Sequence, residues 1–414
     1  MHEIEAAKSN EPAAGSRAAF EGVAGTAVPF KDTQASVWLD GIRGMAAVMV
    51  LGGHWRNALF VDYPMLVAHR LLWLVPYLLT GAARQMVVVF FVLSGYLVGG
   101  SVLKAVDGQR WEWRRYLIHR LVRLWVVLLP GLLLCAFWDH AGLWLGHQSV
   151  VDLGAAGQRL AADGQYVGLP LSPRVFFGNL FFLQSIRFPE YGTDLPLWSL
   201  SYELWYYLLF PLGWLTVRGQ TSTVRRILYG LLFLTGGWFV GFTVLSMFPI
   251  WLLGVVLARL PRVGMTRRWR CVAMGFCVLT VLAVAKYRGP GAQYGDYYVG
   301  LVTFLGLWVA LKGRERARPD AVQVRAARCL ARFSYTLYVT HVPLLAVLSG
   351  LAVGNGRWVP GMGAVTLALV MLAVILLYSY GVGWATEFHT ARLRGRLEAW
   401  MGPGRGLPNH IRVE

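Results

Sequence analysis

The stretch LDGIRGMAAVMVLGGHW, from Leu39 to Trp55, decides the fold class. It lies in an apolar segment long enough to cross a bilayer, yet it carries Arg43 near one end and His54 near the other. Eleven helical steps return to within about 20° of the starting direction, so both side chains lie on one face, about 16 Å apart along the axis. Asp40, three positions before Arg43, can share that face and hold the guanidinium.

The sequence allows two interpretations of the helix face that carries Arg43 and His54, called the arginine–histidine stripe. Ionisable residues at such depth usually face a cavity or a relay and indicate function. Alternatively, His54 is a buried histidine bonded to a backbone carbonyl, and Arg43 anchors the end of the helix.

The rest of the chain has the composition of a membrane protein. Of its 414 residues, 56% are hydrophobic and only 14% are charged, whereas a soluble chain of this length needs far more charge on its surface. The formal net charge of +18 fits Lys and Arg collected in cytoplasmic loops, which argues against nucleic-acid binding. The 4 cysteines form neither a disulfide framework nor a metal cluster, and no metal site is expected.

The apolar segments predict an all-α, polytopic membrane bundle of about ten transmembrane helices. The predicted spans are 37–60, 79–103, 119–145, 194–217, 225–241, 243–260, 269–287, 296–313, 331–354 and 358–386. Loops rich in Lys and Arg alternate with loops poor in them, which predicts that both termini are cytoplasmic. The long connection 146–193 contains a short apolar patch, 175–185, predicted to be re-entrant or interfacial.

Three regions are expected along the chain. Residues 1–34 are predicted to be a disordered cytoplasmic tail, 35–390 a membrane domain, and 391–414 a basic cytoplasmic tail. The beginning of the chain lacks a basic start followed by an apolar core, so the first helix is expected to act as its own insertion signal. Two glycine pairs, Gly95 with Gly99 and Gly237 with Gly241, have the spacing that lets helix backbones approach closely.

A carboxylate interrupts the aromatic stretch PLWSLSYELWYYLLFP (196–211). Glu203 needs a cation or a proton in such surroundings, and Ser199 lies one helical turn before it. A salt bridge to a membrane arginine, Arg43 or Arg84, is the structural alternative to a catalytic role.

Two further motifs carry candidate residues. In FSYTLYVTHVPLL (333–345), His341 follows its same-face neighbour Tyr338 by three positions, and it is either a satisfied core histidine or a functional one. In HRLVRLW, Arg120 and Arg123 lie one turn apart. Such a pair can bind phosphate or pyrophosphate, although the positive-inside rule alone also explains it.

Taken in order, these stretches resemble the acyltransferase 3 family of integral membrane O-acyltransferases. Arg43 and His54 resemble its first-helix motif, VVVFFVLSGYLVG (87–99) its second-helix signature, and PLWSLSYELWYYLLFP its Trp-Ser-Leu stretch followed by an acidic residue. Arg120 and Arg123 resemble its Arg-x-x-Arg element. The chain departs from the family pattern at three places: Arg84, Leu204 and ATEFH (385–389).

The resemblance implies transfer of an acetyl or other short acyl group at a bacterial cytoplasmic (inner) membrane. The implied donor is a cytoplasmic acyl-CoA, with acetyl-CoA as the main candidate. No cofactor is expected to be bound permanently. The acceptor is a hydroxyl of a cell-surface glycan, a lipid-linked sugar or a related metabolite. The competing hypothesis is a transporter or flippase for such a molecule, since buried charges among many helices suit that class equally.

Roles follow for the candidate residues under the acyltransferase interpretation. His54 is expected to be general base or transient acyl carrier, with its tautomer fixed by a carboxylate such as Glu203. Arg43 is expected to be essential to catalysis and to hold the phosphates of the donor together with Arg120 and Arg123. The weaker candidates for contacts with the acceptor are Trp198, Ser199, Tyr338 and His341.

Overall fold

The computed structural model describes residues 33–145, 169–261, 265–287, 291, 294–311, 321–353 and 356–400. Regular structure in this part is helical, with two isolated β-bridges besides. The predicted tail 1–34 up to residue 32, the end of the second tail from 401 onward, and 146–168 of the long connection lie outside the described residues.

The described part of the chain contains fourteen α-helices. They are α1 (Gln34–Leu59), α2 (Arg70–Thr80), α3 (Ala83–Ser94), α4 (Gly100–Asp107), α5 (Trp113–Trp144), α6 (Pro173–Leu180), α7 (Trp198–Arg218), α8 (Thr223–Arg259), α9 (Arg267–Lys286), α10 (Gly295–Ala310), α11 (Val322–Arg332), α12 (Ser334–Val353), α13 (Met362–Ala385) and α14 (Thr390–Trp400). A π-helical turn, Gly95–Gly99, joins α3 to α4.

In the described part of the chain, 7 helical stretches are long and apolar enough to cross a membrane. The prediction of about ten spans differs from this number for three reasons. The helix α7 is not among the 7, α10 has only 16 residues, and α8 is a single stretch of 37 residues that contains two predicted spans. The all-α membrane class is confirmed.

The helix α8 reverses its direction at Gly241, where φ is 78° and ψ is 173°. Before this break α8 runs antiparallel to α7, and after it the two run parallel. The contacts that show this are Gly230–Thr216 and Gly236–Leu209 before the break, and Tyr206–Phe248 and Phe210–Trp251 after it. The predicted boundary between 225–241 and 243–260 therefore coincides with a turn that requires a left-handed backbone conformation.

The close packing predicted for the two glycine pairs occurs at only one of them. A Cβ atom on Gly95 would lie 1.9 Å from the carbonyl oxygen of Trp251, and one on Gly254 would lie 2.0 Å from the carbonyl oxygen of Val92. The backbones of α3 and the second half of α8 are thus in direct contact. At Gly241 no atom lies within 4 Å of such a Cβ, so this glycine supplies the turn and not a close approach.

The central helix is α12, most of whose residues are buried. On one side it runs parallel to α5, where Tyr335 donates a hydrogen bond to the carbonyl of Leu124 and Gly131 meets Val339. On the other side lies α1. Arg43 of α1 reaches Ala331, just before α12, and His54 reaches His341. The face of α1 predicted from the eleven-residue spacing is therefore the face that packs on α11 and α12.

The bundle has two different ends. The end that holds Arg43 and the start of α5 is called the basic end below, and the end that holds α6 and residues 181–197 is called the loop end. At the loop end the patch 175–185 contains most of the 8-residue helix α6 and the turn after it, too short to span. At the basic end α14, which the sequence did not indicate, lies against the start of α5 through Glu398, whose carboxylate contacts Arg115 and His119.

Candidate active site

The first element of the site is the basic end of α1. The Nη2 atom of Arg43 donates a 2.8 Å hydrogen bond to the carbonyl of Ala331 and lies 3.7 Å from Oδ1 of Asp40. Asp40 thus shares the face of Arg43, as its position three residues earlier predicts. The Nε atom of Arg43 is buried and has no partner among the described residues, so one N–H of this guanidinium remains available.

Two arginines of α5 lie at the same end. Arg120 stands over the rings of Tyr116 and Tyr207, with its Cζ atom 5.5 and 5.8 Å from the two ring centres. Its Nη2 donates a long, 3.4 Å hydrogen bond to Ser101, while its buried Nε has no partner in the described part of the chain. Arg123 is exposed. The free N–H groups and the exposed guanidinium fit a phosphate-bearing ligand.

Glu387, just beyond α13, joins this arginine cluster to the central helix. Its Oε2 accepts hydrogen bonds of 3.0 Å from the backbone N–H and 2.8 Å from the hydroxyl of Thr336, in the first turn of α12. It therefore satisfies an N–H that the helix itself leaves unpaired. The carboxylate also lies within electrostatic reach of Arg43 and Arg123. Glu387 stands in ATEFH and was not among the residues predicted to form the site.

Deeper in the bundle, Glu203 of α7 is held by hydroxyl groups. Its Oε1 accepts a 2.9 Å hydrogen bond from Ser94 and a short one from Tyr207, while Ser94 accepts a 3.2 Å bond from the indole of Trp251. Glu203 does not bond to His54. The expected fixing of the His54 tautomer by Glu203 is therefore not found.

The structural alternative for Glu203, a salt bridge to a membrane arginine, is not found either. Arg84 pairs with Asp296 of α10 at 2.7 Å, and the contacts of Arg43 are those to Ala331 and Asp40. Instead, Tyr207 connects Glu203 to the basic end. Its hydroxyl donates a hydrogen bond to Glu203, and the guanidinium of Arg120 lies over its ring.

At the deeper end of the face that carries Arg43 and His54, the imidazole of His54 lies beside that of His341 in α12. The ring of His54 lies 5.3 Å from the ring of His341, at an interplanar angle of 52°. His341 is fully buried, and its Nδ1 lies 2.8 Å from the carbonyl of Leu337. His54 forms no hydrogen bond with the described residues and keeps part of its surface accessible. The alternative of a histidine satisfied by a backbone carbonyl therefore describes His341 in part and does not describe His54.

The remaining candidates lie beside this pair. The hydroxyl of Tyr338, whose ring is 6.4 Å from that of His341, lies 2.7 Å from Oγ of Ser199. Ser199 thus faces Tyr338 and is buried there, so it does not share the surroundings of Glu203 as its position one turn earlier had indicated. Trp198 packs edge-on against Tyr202 at 5.0 Å, in an aromatic cluster.

The structure therefore brings the predicted residues into two groups. Arg43, Arg120 and Arg123 lie at the basic end, and His54, His341, Tyr338 and Ser199 lie deeper, with Glu203 reaching back toward Arg120 through Tyr207. Ser94 and Tyr207 were missed as partners of Glu203. Tyr207 follows Glu203 by four positions, the spacing of same-face neighbours on a helix, so a sequence signal for it exists.

A family model described as an acyltransferase domain, Acyl_transf_3, matches residues 36–384. The chain belongs to the acyltransferase 3 family. No curated protein and no solved structure matches it. The match includes both groups of site residues, whereas Glu387 lies three residues beyond its end. As a member of this family the protein is a membrane acyltransferase, which needs an acyl donor and an acceptor. The family membership favours this function over the transporter hypothesis.

Proposed function

We propose that this acyltransferase transfers an acetyl or other short acyl group from a cytoplasmic acyl-CoA to a hydroxyl. The hydroxyl belongs to a cell-surface glycan, a lipid-linked sugar or a related metabolite. The observation that carries the proposal is the arginine–histidine stripe. It joins an arginine cluster with free N–H groups at the basic end to an unbonded histidine about 16 Å deeper.

The charge distribution supports a donor that enters from the basic end. Acyl-CoA is a polyanion whose phosphates are costly to bury, whereas its pantetheine arm is long and uncharged. Arg43, Arg120 and Arg123 offer N–H donors for the phosphates. With the phosphates held there, the arm extends along α1 and presents the thioester carbonyl to His54. By the positive-inside rule we place this end, and both termini, on the cytoplasmic side of a bacterial inner membrane.

His54 supplies the chemistry in one of two ways. As a general base, its free ring nitrogen takes the proton of the acceptor hydroxyl while the hydroxyl oxygen attacks the thioester carbonyl. The carbon–sulfur bond then breaks, and the CoA thiolate leaves with the proton from the imidazolium. Alternatively, the nitrogen of His54 attacks the thioester itself and releases CoA. The acceptor oxygen then takes the acyl group from the imidazole nitrogen, and the hydroxyl proton passes to the solvent.

The two routes and the proposal are tested with the full chain reconstituted in liposomes and supplied with acetyl-CoA labelled in the acetyl group. Transfer of label to an extract of the producing cells, with one CoA released per label, is the expected result. Label retained on the protein when no extract is added supports the acyl-histidine route. A protein that neither transfers label nor releases CoA contradicts the proposal.

The matched variants are His54→Gln and His140→Gln. His54→Gln removes the basic nitrogen, so transfer is expected to fall by about 10³-fold, with the melting temperature unchanged. His140 is exposed and its ring bonds to a carbonyl of its own helix, so its replacement should leave the rate unchanged. Transfer by His54→Gln at the rate of the unmodified protein rules out both routes.

A further inference from the structure

The surroundings of His54 raise a question that the proposed function leaves open. A neutral imidazole carries its proton on either ring nitrogen, and only the nitrogen without the proton acts as base or nucleophile. Enzymes fix the choice by giving the N–H side of the ring an acceptor. Glu203, the expected acceptor, is occupied by Ser94 and Tyr207, and His54 has no bond to the described residues.

The side chain opposite His54 is an acceptor of defined direction. His341 lies with Nδ1 2.8 Å from the carbonyl oxygen of Leu337. Because a carbonyl oxygen only accepts, the proton of a neutral His341 is on Nδ1, and its Nε2 carries a lone pair. This Nε2 is buried and has no partner among the described residues. Buried polar atoms without partners are rare and call for an explanation.

The distance between the two rings suits a hydrogen bond. Two imidazoles joined by an N–H···N bond of about 3 Å have their centres about 5–5.5 Å apart. The rings of His54 and His341 are 5.3 Å apart, tilted by 52°. The bond is not formed in this structure. Its formation requires a rotation of the His54 ring, which forms no hydrogen bond with the described residues, so that its N–H points to Nε2 of His341.

We infer that His341 is the positioning residue of the reaction: its Nε2 accepts the N–H of His54 and leaves the other nitrogen of His54 free to react. The inference rests on the proposed function of His54. It gives His341 a role different from contact with the acceptor. When His54 takes up a proton or an acyl group, the N–H that faces His341 becomes part of a cation, and its hydrogen bond to the neutral Nε2 strengthens. No proton needs to leave toward His341.

The neighbours of His341 support a fixed orientation of its ring. Tyr338, its nearest aromatic neighbour besides His54, directs its hydroxyl away to Ser199 and to the carbonyl of Pro196. The side chain of His341 is fully buried. The bond to Leu337 therefore sets the direction of Nε2, and the position of α1 against α12 sets what it faces.

Two replacements distinguish a positioning role of His341 from a purely structural one. In His341→Gln the amide reaches the place of Nε2 and supplies an acceptor there, but the bond to Leu337 is lost. In His341→Asn the amide reaches only the place of Nδ1, so the bond to Leu337 is kept and the acceptor is lost. The same pair at His140, which bonds to Ala136 in the same manner at 2.7 Å, is the control.

The measurements are kcat, the KM for acetyl-CoA and the amount of cell extract that gives half the maximal rate, with the reconstituted full chain. His341→Asn is expected to lower kcat about tenfold or more with both half-saturation values unchanged, and His341→Gln to retain most of kcat. If Asn is active and Gln is not, or if Asn raises only the half-saturating amount of extract, the inference is wrong. An unmodified protein that releases no CoA from acetyl-CoA contradicts the proposed function instead.

Discussion

Buried polar side chains of this bundle are satisfied to different degrees. At the loop end both bonded and unbonded groups occur, since oxygens of Asp194 and Gln184 have no partner among the described residues, whereas Asp139 and Asn179 are bonded. Asp139 accepts bonds of 2.8 and 2.7 Å from the N–H and hydroxyl of Thr193. Asn179 bonds to the backbone of Val175, Pro189 and Tyr191. In the candidate site, N–H groups of Arg43 and Arg120 and Nε2 of His341 have no partner in the described part of the chain.

The bonds of Asp139 and Asn179 indicate a structural role for these two side chains. A polar group that bonds to the backbone of a neighbouring loop fixes that loop, and its removal leaves those backbone groups unpaired. A buried polar group with a free donor or acceptor calls for an explanation, such as a ligand, a moving partner or a bound water. Asp139 falls in the first class, since its carboxylate accepts both bonds of Thr193. The comparison predicts separate effects of mutation at the two places.

The largest effect expected in this comparison is at Arg120. In Arg120→Gln the guanidinium that we propose binds the donor phosphates is lost, so the KM for acetyl-CoA is expected to rise about tenfold or more. The kcat and the melting temperature should stay close to those of the unmodified protein, because the free N–H serves the ligand and not the fold. Steady-state kinetics in reconstituted liposomes measure this.

The matched control is Arg259→Gln. Arg259 lies near the end of α8, also stands over an aromatic ring, that of Trp214 at 5.6 Å, and pairs with Asp107 at 2.6 Å. Its charge is already compensated, so the KM for acetyl-CoA should not change. An equal rise of KM in both variants indicates a general loss of positive charge and contradicts a specific phosphate site at Arg120.

An intermediate effect is expected at the loop end, on stability alone. Asp139→Ala leaves the buried N–H of Thr193 without an acceptor, which lowers the free energy of unfolding by about 1–3 kcal/mol. The melting temperature should fall, while kcat per folded molecule stays constant. Asp139→Asn, which keeps one acceptor oxygen, should recover much of the loss. A fall in kcat at an unchanged melting temperature indicates that Asp139 takes part in catalysis and contradicts its structural role.

The sequence predicts those features that depend on one helix at a time. The spacing of Arg43 and His54 predicts their common face, and that face does meet α11 and α12. The change of direction at Gly241 falls between two predicted spans. Asp40 is predicted as the neighbour of Arg43 and lies 3.7 Å from it.

The features that depend on which helices meet could not be predicted. Position within α7 indicates that Glu203 is buried but not that Ser94, more than a hundred residues earlier, is its donor. The π-helical turn Gly95–Gly99 changes the register of α4 relative to α3, and hydropathy carries no signal for it. The pairing of His54 with His341 likewise arises only when α1 and α12 pack side by side.

The smallest effect is expected at α14, where polar groups are neither buried nor free. Glu398 is 34% exposed; it contacts His119 and lies 3.7 Å from Arg115. Exposed ion pairs contribute about 0.5 kcal/mol or less and are screened by salt. Glu398→Gln should therefore leave transfer within about twofold and lower the melting temperature slightly, a difference that disappears at about 1 M salt. Because α14 lies at the basic end, a large change in the KM for acetyl-CoA in this variant instead indicates that α14 forms part of the donor site.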